Sequence, residues 1–338
     1  MRRPALMTAS ALLACTALSG CGVLGEEEAD LQVYSARKYG SEDVFAQFTE
    51  ETGITVDFLF ADNAALLERI RTEGADSPAD VYMTVDAGNL WNADQQGILA
   101  PLDSEVLEAA VPAADRADDG TWFGLAKRAR TVIYDPDQVD PADFDAEDTY
   151  TGLTDPQWRG RLCMRDLDET YMTSLVASLI DLHGEEGARE IVEGWQANEV
   201  EVMGNDVLVI EAVEAGTCEV GIVNHYYLAR EQAEGKAQGV ELYWASQEGA
   251  GTHVNVSGAG VVETSDNPAD AQRLLEWLAT EGQAALIDGN HEFPVNPDVE
   301  PDAEAAAYGP FTEMTLDAEV YGSLNARAAE LLVDAGWE

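Results

Sequence analysis

Apolar and polar positions alternate along "LQVYSA" (31–36), the period of a half-buried strand, and "ITVDFLF" (54–60) and "ADVYMTV" (79–85) read as two further strands. Between them, "SEDVFAQFTEETG" (41–53) predicts a helix with Ser41 as its N-cap, acids in its first turn and a stop at Gly53. "AALLERIRTEG" (64–74) predicts a second helix. Strand and helix alternating at this spacing predict a parallel sheet with helices on both faces.

A second region starts near "KRARTVIYD" (127–135), where an apolar strand leaves an arginine-rich junction. It continues with the helical stretches "YMTSLVASLIDLHG" (171–184) and "EEGAREIVEGW" (185–195), then a buried strand, "GTCEVGIVN" (216–224), that runs straight into Tyr226 and Tyr227. Farther on, "THVNVSGAGVV" (252–262) predicts a strand and "PADAQRLLEWLATEGQAALI" (268–287) an amphipathic helix. Neither an internal repeat nor a low-complexity tract interrupts the pattern. The expected architecture is α/β in two lobes, with the chain passing between them near 128–133 and 252–258. Ligands in open α/β sheets sit beyond the carboxyl ends of strands, and the tyrosine pair follows such an end.

The N-terminal "MRRPALMTASALLACTALSGCG" changes the compartment. Two arginines, an apolar run and small residues make a secretory signal, too short for a spanning helix. "LSGC" resembles the lipobox of bacterial lipoproteins, which makes 1–20 a signal peptide, Cys21 the lipidated mature N-terminus and 21–30 a solvated acidic tether. An ordinary signal peptide cut nearby is the alternative. Cleavage removes Arg2 and Arg3 and no acid, so the formal charge of −47 becomes two units more negative. Such a surface repels nucleic acid and anionic lipid, and describes habitat more than ligand. Cys15 leaves with the signal and Cys21 is taken by lipid. In an oxidising compartment the remaining pair, Cys163 and Cys218, is expected to form one disulfide, with two buried free thiols as the alternative.

The chemistry rests on the phenols. Tyrosine oxygen is a hard donor once ionised, and hard cations prefer it to imidazole or thiolate. A phenol ionises near pH ~10, so ligation at neutral pH needs a metal acidic enough to displace the proton. Ferric iron is the natural candidate.

The segments "YSARKY", "SPADVYMTVDAGNLW", "KRARTVIYD", "RLCMRDLDETYMTSLVASLI", "NHYYLAR" and "EFPVNP" occur in order along the mature chain. Together they resemble the ferric-iron-binding proteins that serve bacterial ABC importers. The resemblance implies a two-lobed periplasmic-binding-protein fold with two interlobe crossovers and a ligand cleft between the lobes. One lobe would comprise 31–130 and about 257–307, the other about 131–256 and 308–338. It also implies Fe³⁺ held by Tyr226 and Tyr227, by Tyr171 from the same lobe, and by Tyr39 from the opposite one. Many relatives carry a histidine before that last tyrosine, where this chain has Lys38, and a protonated ammonium cannot ligate. An importer permease and its ATPase are the implied partners of a monomer tethered to the membrane outside the cytoplasm.

Other residues keep bland readings. Tyr34 is expected to pack inside the first strand, and Asp86 to cap the following helix rather than ligate. Arg130 is the preferred candidate to offset phenolate charge by hydrogen bonding, with Arg128 beside it, and a hinge salt bridge is its competing role. His183, His225, His253 and His291 show no ligand spacing. Two rival functions remain. A binding protein for an organic solute would use tryptophans such as Trp91 or Trp122. A secreted hydrolase would need a nucleophile elbow or a zinc helix, and neither pattern occurs in the chain.

Overall fold

The computed structural model describes residues 29–38 and 41–337. The expected signal peptide, Cys21, all but the last two residues of the tether, and Tyr39 lie outside the described residues. Ten strands appear in chain order: β1 Leu31–Ser35, β2 Val56–Phe60, β3 Val81–Thr84, β4 Phe123–Tyr134, β5 Leu162–Arg165, β6 Glu201–Met203, β7 Val220–Asn224, β8 Glu241–Tyr243, β9 Val254–Val261 and β10 Phe293–Pro294. Their hydrogen-bonded order is β2-β1-β3-β9-β4-β7-β5-β6, with β8 and β10 also on β4.

The expected parallel pairing holds within each half and fails at the centre. β1 pairs parallel with β2 and β3, and β5 pairs parallel with β6 and β7. β9, however, runs antiparallel to β3 and β4, and β4 antiparallel to β7. The reason is connectivity: β4 is a single 12-residue strand shared by both halves. Phe123–Ala129 pair with β9, and from Arg130 onward the partner is β7. The backbone N–H of Arg130 donates to the His253 carbonyl at 3.0 Å, so the two long connecting segments are fastened together where β4 changes sheet.

Packing explains the local departures from the sequence pattern. The stretch 171–197 is helical at both ends but breaks at Gly184, whose φ of 74° ends one helix and starts the next, at the boundary the sequence marks. The predicted helix over 268–287 instead divides into Pro268–Ala279 and Gln283–Asp288. Gly282 there lies so close beneath the Trp277 ring that a β-carbon would approach it to 2.2 Å. Trp277 in turn donates its indole N–H to Glu51 at 2.8 Å, fastening the turn to helix Ser41–Thr52. Five tryptophans, Trp122, Trp158, Trp195, Trp277 and Trp337, are fully buried. The C-terminal helix Glu319–Asp334 packs on both Ala87–Gln95 and Tyr171–Ala197. No helix among the described residues is long and apolar enough to cross a membrane.

Cys163 of β5 and Cys218, just before β7, are disulfide-bonded, with Cα atoms 5.9 Å apart and a separation of 55 residues. The bond ties together two adjacent parallel strands whose connection runs through helix Tyr171–Ala197, β6 and helix Asp206–Glu214. Replacing both cysteines with alanine is expected to destabilise the chain by about 4 kcal/mol on the chain-entropy model. Urea unfolding under oxidising conditions checks this, and an unchanged midpoint would show that the link adds nothing to the sheet's own stability.

Candidate metal centre

A cleft of about 160 Å³ opens at the carboxyl ends of the parallel strands of both halves. One wall carries Arg37 and Lys38 after β1, Asp62 and Asn63 after β2, and Val85 after β3. The facing wall carries Glu169 and Tyr171 after β5, and Tyr226 and Tyr227 after β7. Arg128 of β4 forms part of the lining, with Asn290 and Glu292 of the returning chain. Trp91 and Trp122 do not line it. Trp122 is wholly buried and Trp91 packs over Gly322, so the organic-solute reading loses its aromatic platforms.

Each tyrosine is placed by a strand that ends and a helix that begins. β7 terminates at Asn224, and helix His225–Ala233 puts Tyr226 and Tyr227 in its first turn, rings tilted at 32° with centroids 4.3 Å apart. Tyr171 opens helix Tyr171–Ala197. Its hydroxyl accepts from that of Tyr226 at 3.3 Å. Both helix N-termini therefore turn their positive dipole ends toward oxygens that could carry negative charge. His225 fixes the start of the tyrosine helix. Its Nδ1 accepts from the Ala129 N–H at 3.1 Å, its Nε2 donates to the His291 carbonyl at 3.1 Å, and its ring stacks on Phe293 at 4.4 Å. Burial lowers His225 to about 4, consistent with a neutral ring in that tautomer. His253, equally buried, falls to about 3.

Burial pushes the Tyr226 phenol well above its ordinary value, the neighbouring Tyr171 and Tyr227 add to the shift, and Arg128 opposes it. Tyr227 is also raised by burial and by Tyr171, against the pull of Tyr226 and Arg165. Raised in this way, the Tyr226 and Tyr227 phenols favour their protonated form near neutral pH. Ionising them requires a strongly polarising cation in the cleft.

The cationic partners differ from expectation. Arg130, preferred from the sequence, is absent from the cleft lining. Its guanidinium donates to Asp206 Oδ1 at 2.8 Å, to Asn224 Oδ1 at 3.3 Å and to the Ile222 carbonyl at 3.1 Å. That is an ion pair, as in the competing reading, beside the point where β4 passes from β9 to β7. Asp206, at the head of helix Asp206–Glu214 and fully buried, claims Arg130 because it lies beside the end of β7 and also accepts from the Asn224 N–H at 2.9 Å. Arg128 is the arginine that reaches the phenols: its guanidinium carbon lies 5.1 Å from the centre of the Tyr171 ring, and its Nη1 donates to Ser257 Oγ at 2.9 Å. Arg165, unnoticed in the sequence, stands 4.9 Å from the same ring centre while Asp206 Oδ2 accepts from its Nη1 at 2.9 Å. The indole N–H of Trp337 donates to the Arg165 carbonyl at 2.9 Å.

Asp86 has the role expected of it. Its Oδ1 caps Gly88 N–H at 2.8 Å, and its Oδ2 accepts from Ser174 at 2.6 Å and Asn255 at 2.7 Å, so no oxygen is left facing the cleft. Tyr34 is buried in β1, with its hydroxyl on Glu73. Sequence reading also missed Glu292, buried and ion-paired with Arg37. Desolvation in the cleft wall pushes Glu169 above its usual value, Arg165, Arg128 and Lys38 oppose the shift, and Asp62 adds to it.

The family model for bacterial extracellular solute-binding proteins matches residues 76–313. The chain belongs to this family. Such a solute-binding protein transports rather than transforms what it holds. It is 40% identical over 321 residues to iron uptake protein A1 of Synechocystis sp., covering 92% of this chain and 88% of that protein. Against the major ferric iron-binding protein of Neisseria meningitidis serogroup B, identity is 30% over 279 residues, covering 80% and 82%. Among solved structures, Trichodesmium IdiA (FutA) in complex with iron and citrate aligns with a TM-score of 0.86 at 38% identity, covering 91% of this chain and 99% of that one. The ferric iron-binding protein A of Mannheimia haemolytica in an open conformation aligns at 0.82 and 33%, covering 90% and 98%. The solute-binding protein thus has the two-lobed fold that the sequence resemblance implies.

Asp206 serves two buried guanidiniums and has no exposed surface. An Asp206→Asn exchange leaves Arg130 without a carboxylate and Arg165 with only the longer contact to Asp166 at 3.6 Å, and is expected to cost about 3–5 kcal/mol of stability. Thermal unfolding of the purified variant measures it, and a loss below about 1 kcal/mol would remove this carboxylate as the support of the site.

Proposed function

We propose that the chain is an extracytoplasmic ferric-iron-binding protein that closes over Fe³⁺ and delivers it to an ABC importer's permease and ATPase. The observation that carries this reading is the convergence of three phenols, Tyr171, Tyr226 and Tyr227, at two helix N-termini beside two guanidiniums, in a cleft between lobes. The iron-associated names of the relatives support it. Tyr39 supplies the opposite-lobe phenolate. Four phenolates on a trivalent ion leave one excess negative charge, which Arg128 and Arg165 offset from the Tyr171 face. Closure turns about the points where β4 passes from β9 to β7 and where the chain returns into β9, the lobe boundaries expected near 130 and 256. Cys21 carries the lipid, from "LSGC" at the end of the apolar run. It tethers a monomer to the membrane.

A visible spectrum during titration with ferric citrate tests the metal assignment. Phenolate-to-iron charge transfer should colour the complex, and a colourless protein at saturation would end this reading. The Tyr226→Phe, Tyr227→Phe double variant should lose tight binding, and Tyr39→Phe should weaken or shift the band. A Tyr39→Phe protein with unaltered spectrum and affinity would place the first-lobe ligand elsewhere. Because binding through phenolates displaces phenol protons, affinity should fall with acid by roughly tenfold per displaced proton for each pH unit.

The anchor has its own test. A Cys21→Ser chain should appear in the soluble fraction of cells that retain the parent protein on membranes. Retention of a processed variant on the membrane would refute lipidation at that residue.

A further inference from the structure

Lys38 occupies the place where the resemblance leads one to expect a metal-ligating histidine, and the structure shows what surrounds it. It stands at the mouth of the cleft, more than half exposed, with its Nζ 3.4 Å from Asp62 Oδ1 on the same wall. That is a loose pair between two mobile, hydrated groups, worth little on its own. Across the opening, the exposed carboxylate of Glu169 has neither a hydrogen-bond nor an ion-pair partner among the described residues. Arg128 and Arg165 on that side are turned to the Tyr171 ring, to Ser257 and to Asp206.

Closing such a cleft brings the Asp62 and Glu169 carboxylates toward each other while water leaves. Like charges approaching in a drying gap oppose closure unless a cation stands between them. Lys38 is attached to the wall that carries Asp62, and its flexible four-carbon stem lets the ammonium reach forward without breaking a buried contact.

We infer that Lys38 is a closure latch: in the iron-loaded form its ammonium bridges Asp62 and Glu169 across the cleft mouth and slows iron release, without entering the coordination sphere. The inference rests on the ferric reading and assigns a positioning role to a residue that the phenolate set leaves unused. A charge pair formed only in the closed state acts on the dissociation rate, because it must break before the lobes part.

The test compares the unmutated chain with Lys38→Met, Glu169→Gln and the double variant. Each is loaded with ferric iron, and loss of the charge-transfer band is followed in excess competing chelator at low and high salt. Each single variant should release iron about three- to fivefold faster at low salt, the range of a partly exposed ion pair. The double variant should be no faster than the faster single one, and the difference from the unmutated chain should shrink at high salt. The band's position should not move in Lys38→Met, which separates a latch from a ligand. Single variants with unaltered release, multiplicative effects in the double variant, or a shifted band in Lys38→Met would each overturn the latch. A colourless unmutated protein would instead overturn the ferric reading, and the latch with it.

Discussion

Asp206 has two guanidiniums to serve, and the site depends on how it divides itself between them. One oxygen takes Arg130 and the other Arg165, in a pocket with no solvent. Removing three charged groups from water is costly, and they are held only because each is hydrogen-bonded to a neighbour of opposite sign or to backbone. Asp166 Oδ1, 3.6 Å from Arg165 Nη2, brings the carboxylates to two against the two guanidiniums. Arg165 presents its face to Tyr171 even while ion-paired. Arg128, with no carboxylate in direct hydrogen-bond contact, supplies the second cationic face. Under the ferric reading, four phenolates on a trivalent ion leave a negative excess, which the faces of Arg128 and Arg165 offset.

The phenols come to that region through secondary structure rather than through loops. β5 and β7 are parallel neighbours, so both end on the same edge of the sheet, and the helices that follow both begin there. Tyr171 and the Tyr226–Tyr227 pair occupy the first turns of those helices, which brings residues 55 positions apart within hydrogen-bonding distance. The disulfide joins the same two strand segments a few residues upstream. Cross-link, parallel pairing and tyrosines are one local design: the covalent tie restrains the pair of strands whose ends must stay in register.

Much of this was legible in the sequence, for identifiable reasons. The strand patterns of β1, β3, β7 and β9, the break at Gly184 and the capping role of Asp86 follow from local rules that tertiary contacts did not override. Adjacent tyrosines at a strand-to-helix junction single out Tyr226 and Tyr227, whereas Tyr171 and Tyr39 are implied only by the family resemblance. What escaped depends on distance in sequence. Arg128 and Arg130 lie two apart on one strand, and nothing local says which will meet a carboxylate. The choice falls to Asp206, 76 residues away. Arg165 and Glu292 were invisible for the same reason. The split of 268–287 into two helices required knowing that the Trp277 ring lies over Gly282. The mixed central sheet required knowing that one strand serves both halves.

That shared strand has a mechanical meaning. Because β4 runs unbroken from β9 to β7, the halves cannot slide past each other without tearing its hydrogen bonds. Under the proposed closure, rotation about the few torsions near Ala129 and Arg130 is the motion left to them. The ferric reading divides its ligands unevenly across that axis, with Tyr171, Tyr226 and Tyr227 on one half and the proposed fourth, Tyr39, assigned to the other. Under the ferric reading, unloading is then ordered. The lone opposite-lobe ligand departs as the jaws part, and the ion stays for a time on the Tyr171, Tyr226 and Tyr227 face, presented openly to whatever receives it.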